Sequence, residues 1–176
     1  MKYTFASLGK LESLGIRIGG AGLGNILIVW ATALVYSKRN NLTRIQTTWR
    51  TLKFGTFLRK ERDKRMYFDL FTGKDGVSGF KKFYLLNFSN QVKYFSSIDK
   101  LFQPFKSEHK FIKKELFKLI NPSHLLRVNN ITKKSIAIHI RFGDFELSDD
   151  EFELRKGSWN YRLPIKWYTS MIKKIR

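Results

Sequence analysis

The stretch LGIRIGGAGLGNILIVWATALVYSKRNN, Leu14 to Asn41, decides how the fold of this chain is read. Its first five residues, Leu14 to Ile18, alternate around Ile16 and Ile18 and predict a short strand. They run into GGAGLGN, where closely spaced glycines allow a tight turn. From Asn25 onward the sequence NILIVWATALVYS is apolar on nearly every side until Ser37. A helix of that kind is buried around most of its circumference rather than along one stripe. Asn25 is placed to cap its first turn, and Asn40 and Asn41 to close its last.

Strand, glycine turn and buried helix form the opening unit of an α/β, Rossmann-like domain. The apolar window Gly22 to Tyr36 is shorter than the roughly 20 apolar residues a membrane-spanning helix needs. It also starts too deep in the chain for the apolar core of a signal peptide, so a cytoplasmic location is the expectation. The glycine loop fits neither standard nucleotide motif. Gly20 and Gly22 are followed by Asn25 where a dinucleotide fingerprint has its third glycine, and no Gly-Lys-Ser/Thr follows. Two readings stay open: a structural turn, or a loop whose backbone N–H groups approach an anion.

The remaining elements are read from pattern. RKERDKR, Arg59 to Arg65, is a solvated turn or helix end, and GKDGVSG, Gly73 to Gly79, a loop. KFYLLNF, Lys82 to Phe88, reads as a strand from its aromatic content. SEHKFIKKELFKLINP predicts an amphipathic helix with Ser107 as N-cap, a stripe at Ile112, Leu116, Leu119 and Ile120, a basic outer face, and Pro122 as stop. SIAIHI, Ser135 to Ile140, predicts a strand. PIKWYTSMIKKIR predicts a helix with Pro164 in its first turn and Ile165, Tyr168, Met171 (or Ile172) and Ile175 as its stripe.

Bulk composition narrows the partners. The 176 residues suffice for one domain or one plus part of another, and 43% apolar content supports a real core. With 34 Lys+Arg against 14 Asp+Glu the formal charge is +20, which favours anionic partners: nucleic acid, anionic lipid or phosphorylated substrates. Without cysteine there is no disulfide, thiolate metal site or thiol nucleophile.

A second stretch, SIAIHIRFGDF, Ser135 to Phe145, carries the polar chemistry. Ile136, Ile138 and Ile140 share one face of the predicted strand; Ala137, His139 and Arg141 share the other. A parallel strand covered on both faces should be apolar throughout, and His139 and Arg141 break that rule at its carboxyl end. Ligands of open α/β sheets bind there, and a guanidinium fork suits a phosphate. The alternative is an Arg141–Asp144 pair with His139 bonded to a nearby carbonyl. The six carboxylates from Asp144 to Glu153 read as a solvated surface rather than a metal site, and no histidine pair has metal-ligand spacing. No G-x-S-x-G nucleophile elbow is present.

Taken together, GGAGLGN with its apolar helix and SIAIHIRFGDF resemble the two motifs of alpha-1,2-fucosyltransferase-like glycosyltransferases. In that family G-G-L-G-N-Q precedes an alanine-rich helix and H-x-R-x-G-D follows downstream. The resemblance covers Gly15 to about Asn41 and Ser135 to Phe145. It implies a two-domain GT-B fold: residues 1–130 as an acceptor-side, Rossmann-like N-terminal domain, and 131–176 as the start of a donor-binding domain. It implies GDP-fucose as donor, a carbohydrate acceptor in surface polysaccharide synthesis, and an inverting transfer that needs neither metal nor other cofactor. Arg141 matches the Arg that grips the donor diphosphate and assists departure of GDP. His139 and Asp144 match flanking donor-site positions, and Gly22, Gly24 and Asn25 match the loop facing the same cleft. Phe142 stands where a second Arg is common, and Ile26 where Gln is usual. The chain stops one helix into the expected second domain, so the expectation is a truncated enzyme.

An enzyme of this kind would meet its acceptor at the inner membrane face, where the basic surface favours peripheral contact with anionic lipid. A basic nucleic-acid-binding protein is the competing class, although no helix-turn-helix, zinc-finger or RNP-type motif occurs. A folded remnant without catalysis is the third.

Overall fold

The computed structural model describes residues 1–17, 21–49, 51–54, 58, 60, 67–98, 103–129, 146–147 and 161–175. The chain divides into two compact units, Met1–Ile131 and Thr132–Arg176. The first is built on a three-stranded parallel sheet of order β3-β1-β5. Its strands are β1 (Tyr3–Ala6), β3 (Thr43–Arg44) and β5 (Val92–Phe95). Tyr3 stands opposite both Thr43 and Val92, so β1 is the central strand. Between β1 and β3 lie a 3-10 helix (Lys10–Leu14), the two-residue strand β2 (Ile16–Arg17) and helix α1 (Leu23–Arg39). β2 pairs in parallel with β4 (Leu52–Lys53), outside the main sheet.

Alternation along β1 divides the core in two. Ala6 belongs to a cluster with α1, Trp49, Phe71, Phe105 and Leu119. Phe5 belongs to another with Ile45, Val92 and Leu85 of helix α2 (Gly79–Phe88). The sheet therefore carries α1 on one face and α2 on the other, the layering a parallel sheet requires when both faces must be dry. Helices α3 (His109–Leu119) and α4 (Pro122–Asn129) complete the unit, with Leu119 buried in the α1 cluster. In the second unit, β6 (Glu146–Leu147) pairs in parallel with β7 (Tyr161–Arg162), and α5 spans Ile165–Ile175.

The buried helix matches its reading: α1 is buried or half-buried from Asn25 to Ser37, and Gly24 and Lys38 are its first exposed positions on either side. Its buried hydroxyls are satisfied within the helix, Ser37 donating to the Leu34 carbonyl at 2.8 Å. Asn40 closes it, and Asn41 takes the left-handed conformation at φ 51°. α3 and α5 also fall where their stripes place them.

Other readings are corrected. Within Leu14–Ile18 the described strand is only Ile16–Arg17, outside the main sheet, and the strand that opens the β-α-β unit is Tyr3–Ala6. Gly15 adopts φ 74° to end the 3-10 helix, which interrupts any extended run through it. Lys82–Phe88 is helix rather than strand, because Lys82, Leu85 and Leu86 line up at helical spacing toward the sheet. The cap of α1 is Gly22, with Asn25 inside its first turn. Glu108, not Ser107, caps α3, since 103–108 is a 3-10 helix. α3 does end short of Pro122, at Leu119, as read; Pro122 in addition opens α4, where its missing N–H costs nothing. The Arg59–Arg65 run, apart from Lys60, and the Ser135–Ile140 strand lie outside the described residues.

The Gly73–Gly79 loop is packed rather than loose. A Cβ on Gly73 would lie 2.3 Å from the Lys118 carbonyl oxygen, and one on Gly76 2.2 Å from that of Arg44. Between them Asp75 is carried into the core.

Candidate functional site

The strand order determines where an open sheet of this kind binds. The chain leaves β1 toward β3 on one side, then returns past β1 to β5 on the other. The carboxyl ends of β1 and β5 are thus the switch point, where diverging connections leave a crevice. A crevice of about 470 Å³ lies there, lined by Ser7, Leu8 and Gly9 after β1, Ser96 after β5, and Ser13, Phe5, Leu86 and Tyr94. That volume is in the range of small-molecule sites. One wall offers hydroxyl and backbone groups. The other offers Phe5 and Tyr94, whose rings meet edge to face with centroids 6.0 Å apart. Hydroxyls beside an aromatic wall suit a ring that bears hydroxyl groups.

The loop below the crevice is held by its own polar groups. Ser7 Oγ donates to the Gly9 carbonyl at 2.7 Å. Glu12, 1% exposed, accepts from the Leu8 N–H at 3.2 Å through Oε2. Thr48 Oγ1 donates to the Glu12 carbonyl at 3.0 Å, and Lys82 Nζ donates to Thr48 Oγ1 at 2.7 Å. Lys82 also stands over the Phe5 ring, 5.3 Å from its centroid. One step further in, Asp75 accepts from Trp30 Nε1 at 2.8 Å, while its Oδ1 and Arg44 Nη1 are buried without a hydrogen-bond partner among the described residues.

Burial dominates the electrostatics of this knot. It lowers the Lys82 amine to about 8, with Asp75 and Glu12 opposing the shift. It raises the Asp75 carboxyl above its ordinary 3.8, against the Trp30 hydrogen bond and the Arg44 charge. An amine near 8 beside a crevice exchanges a proton close to neutral pH, which exposed lysines do not.

Of the residues singled out from sequence, Gly22, Gly24 and Asn25 come together in the first turn of α1. A Cβ on Gly22 or Gly24 would meet open space, and Gly22 has φ −74°. Among the described residues, neither packing nor a left-handed backbone accounts for glycine at these two positions. The crevice lining does not include them. His139, Arg141 and Asp144 lie outside the described residues. Sequence reading missed Ser7, Gly9, Glu12, Asp75 and Lys82. For Ser7, Gly9 and Glu12 the available signal was the SLGKLES run that follows Tyr3–Ala6; Asp75 and Lys82 carried none.

Among the described residues no helix is long and apolar enough to cross a membrane. No protein-family model, curated protein or solved structure matches the chain.

Proposed function

We propose that the chain is a glycosyltransferase of the fucosyltransferase type, built on a Rossmann-like GT-B plan. It transfers fucose from GDP-fucose to a sugar hydroxyl in surface polysaccharide synthesis. The observation that carries this reading is the ordered pair of motifs: Gly22-Leu23-Gly24-Asn25 opening a buried helix, with His139, Arg141 and Asp144 downstream. Two structural features support it. Among the described residues nothing lies within 4 Å of a Cβ built on Gly22 or Gly24, so the start of the helix has room beside its backbone. The crevice at the sheet's carboxyl edge sets serine side chains beside Phe5 and Tyr94, a lining compatible with a sugar ring.

In this scheme Arg141 holds the diphosphate and stabilises the charge that grows on departing GDP; a fixed cation serves where no metal does. His139 and Asp144 line the donor site, and the Gly22–Asn25 turn presents N–H donors to it. Calorimetric titration with GDP tests the assignment. Binding should be measurable in the native chain and lost in Arg141→Ala. Undiminished affinity in that variant refutes the role of Arg141. A steep salt dependence for oligonucleotides, indifferent to Arg141, favours the nucleic-acid class instead.

A further inference from the structure

A second cavity of about 470 Å³ lies on the α1 side of the first unit and shares no lining residue with the crevice. Its walls are hydrocarbon: Leu27 and Ala31 of α1, Ile112 and Leu116 of α3, and Phe105. Among the described residues, Lys106, His109 and Lys113 complete its lining; the cavity surface itself is almost wholly apolar, and all three residues are exposed.

Among the described residues, the two carboxylates of this segment, Glu108 and Glu115, are committed elsewhere. Glu108 pairs with Lys38 at 3.0 Å and Arg39 at 3.7 Å, and Glu115 pairs with Arg44 at 3.4 Å and with Lys118. Among the described residues Lys106 and Lys113 form no ion pair; Lys113 only stands 5.5 Å from the Phe117 ring centroid. Hydrocarbon walls beside unneutralised cations select a ligand with an apolar chain and an anionic head. A neutral chain would leave the two ammonium groups unmatched. A flat anionic surface would engage the cations and leave the concavity empty. A chain seated inside gains from every methylene it removes from water.

We propose that this groove binds the hydrocarbon chain of a single anionic amphiphile, of the alkyl- or prenyl-phosphate class, with Lys106 and Lys113 holding its head group. The site is independent of the glycosyltransferase reading and would stand if that reading failed.

The test is calorimetric titration of the full chain with dodecyl phosphate below its micelle concentration. Dodecyl maltoside serves as the neutral chain and inorganic phosphate as the head alone. Dodecyl phosphate should bind once per chain, at least tenfold tighter than dodecyl maltoside, and inorganic phosphate should not displace it. Lys106→Ser with Lys113→Ser, both on exposed positions, should weaken binding on the order of tenfold and remove the preference for the anion. Ile112→Glu should abolish binding; if that variant melts early, Leu27→Gln takes its place. Equal affinity for the two amphiphiles overturns the proposal. So does binding that falls with salt yet ignores the Ile112 or Leu27 substitution, because it would report surface charge alone.

Discussion

Helices α1 and α2 cover opposite faces of one sheet and are both rich in apolar residues, yet they end in different environments. In α1 nine residues are buried, among them Trp30, Leu34 and Val35. In α2 only Leu85 is. The outer face of α2 is a ridge of aromatics, with Phe80 82% and Phe88 69% exposed and the Tyr84 and Phe88 rings 5.9 Å apart. The difference is in what lies beyond each helix. α1 is enclosed by the sheet on one side and by Trp49, Phe71, Phe105 and Leu119 on the others. α2 packs inward, on the Phe5, Ile45 and Val92 cluster, and its outer face stays in solvent. Apolar content alone does not bury a helix; a second layer of packing does.

The largest effect expected from this contrast comes at Trp30. Trp30→Ala removes a ring packed against Trp49 and the hydrogen bond to Asp75, and should cost about 3–5 kcal/mol in urea unfolding. A loss below about 1 kcal/mol would mean that α1 is not the centre of the core.

The polar knot between the two helices gives the next test. Between pH 8 and 10.5 the unfolded chain keeps the Lys82 proton while the folded chain releases it, so this residue makes stability rise with pH across that window. In Lys82→Met the rise should disappear from the urea midpoints. For Asp75 the sign reverses: above pH 3.8 the unfolded carboxyl is ionised while the folded one still holds its proton. Stability should therefore fall as pH climbs to the raised value, and Asp75→Asn should flatten that slope.

Gly24 lies inside α1 with open space around its missing side chain. Gly24→Ala should stabilise the protein by roughly 0.5–1 kcal/mol, read as a higher melting temperature. Under the proposed function the same variant binds GDP more weakly. Stabilisation without any loss of GDP binding would reduce the loop to an ordinary turn. The smallest effect belongs to the ridge of α2: Phe80→Ser should shift stability by no more than about 0.5 kcal/mol. A larger cost would show that this face is covered.

How far the fold was legible varied with how local the signal was. α3 and α5 could be placed because their apolar residues recur at helical spacing over three turns, and α1 because its apolar run behind a glycine turn is too long for a strand. α2 was misread because Phe83, Tyr84 and Phe88 favour strands, and their outward position in a helix depends on Leu85 and Leu86 finding Phe5 and Val92 across the chain. The opening strand was misplaced because Ile16 and Ile18 look more strand-like than Tyr3–Ala6. The choice between them rests on β1 gaining a partner on each side.

For the site, the glycine turn was visible from its composition, and the reason to look at Arg141 was visible from one polar interruption in an isoleucine run. The crevice was not. Ser7 to Ser13, Leu86, and Tyr94 with Ser96 come from separate segments, and the pairing of β1 with β5 is what brings them to one sheet edge.

By itself, then, the sequence determined an α/β class, a largely buried helix behind a glycine turn, and a strongly cationic surface, because each follows from spacing or composition within a short window. The tertiary structure alone decided which strand is central, which apolar helix is enclosed, and which carboxylate and amine are drawn out of water. Those outcomes depend on contacts between segments far apart in the chain, and no local pattern encodes them.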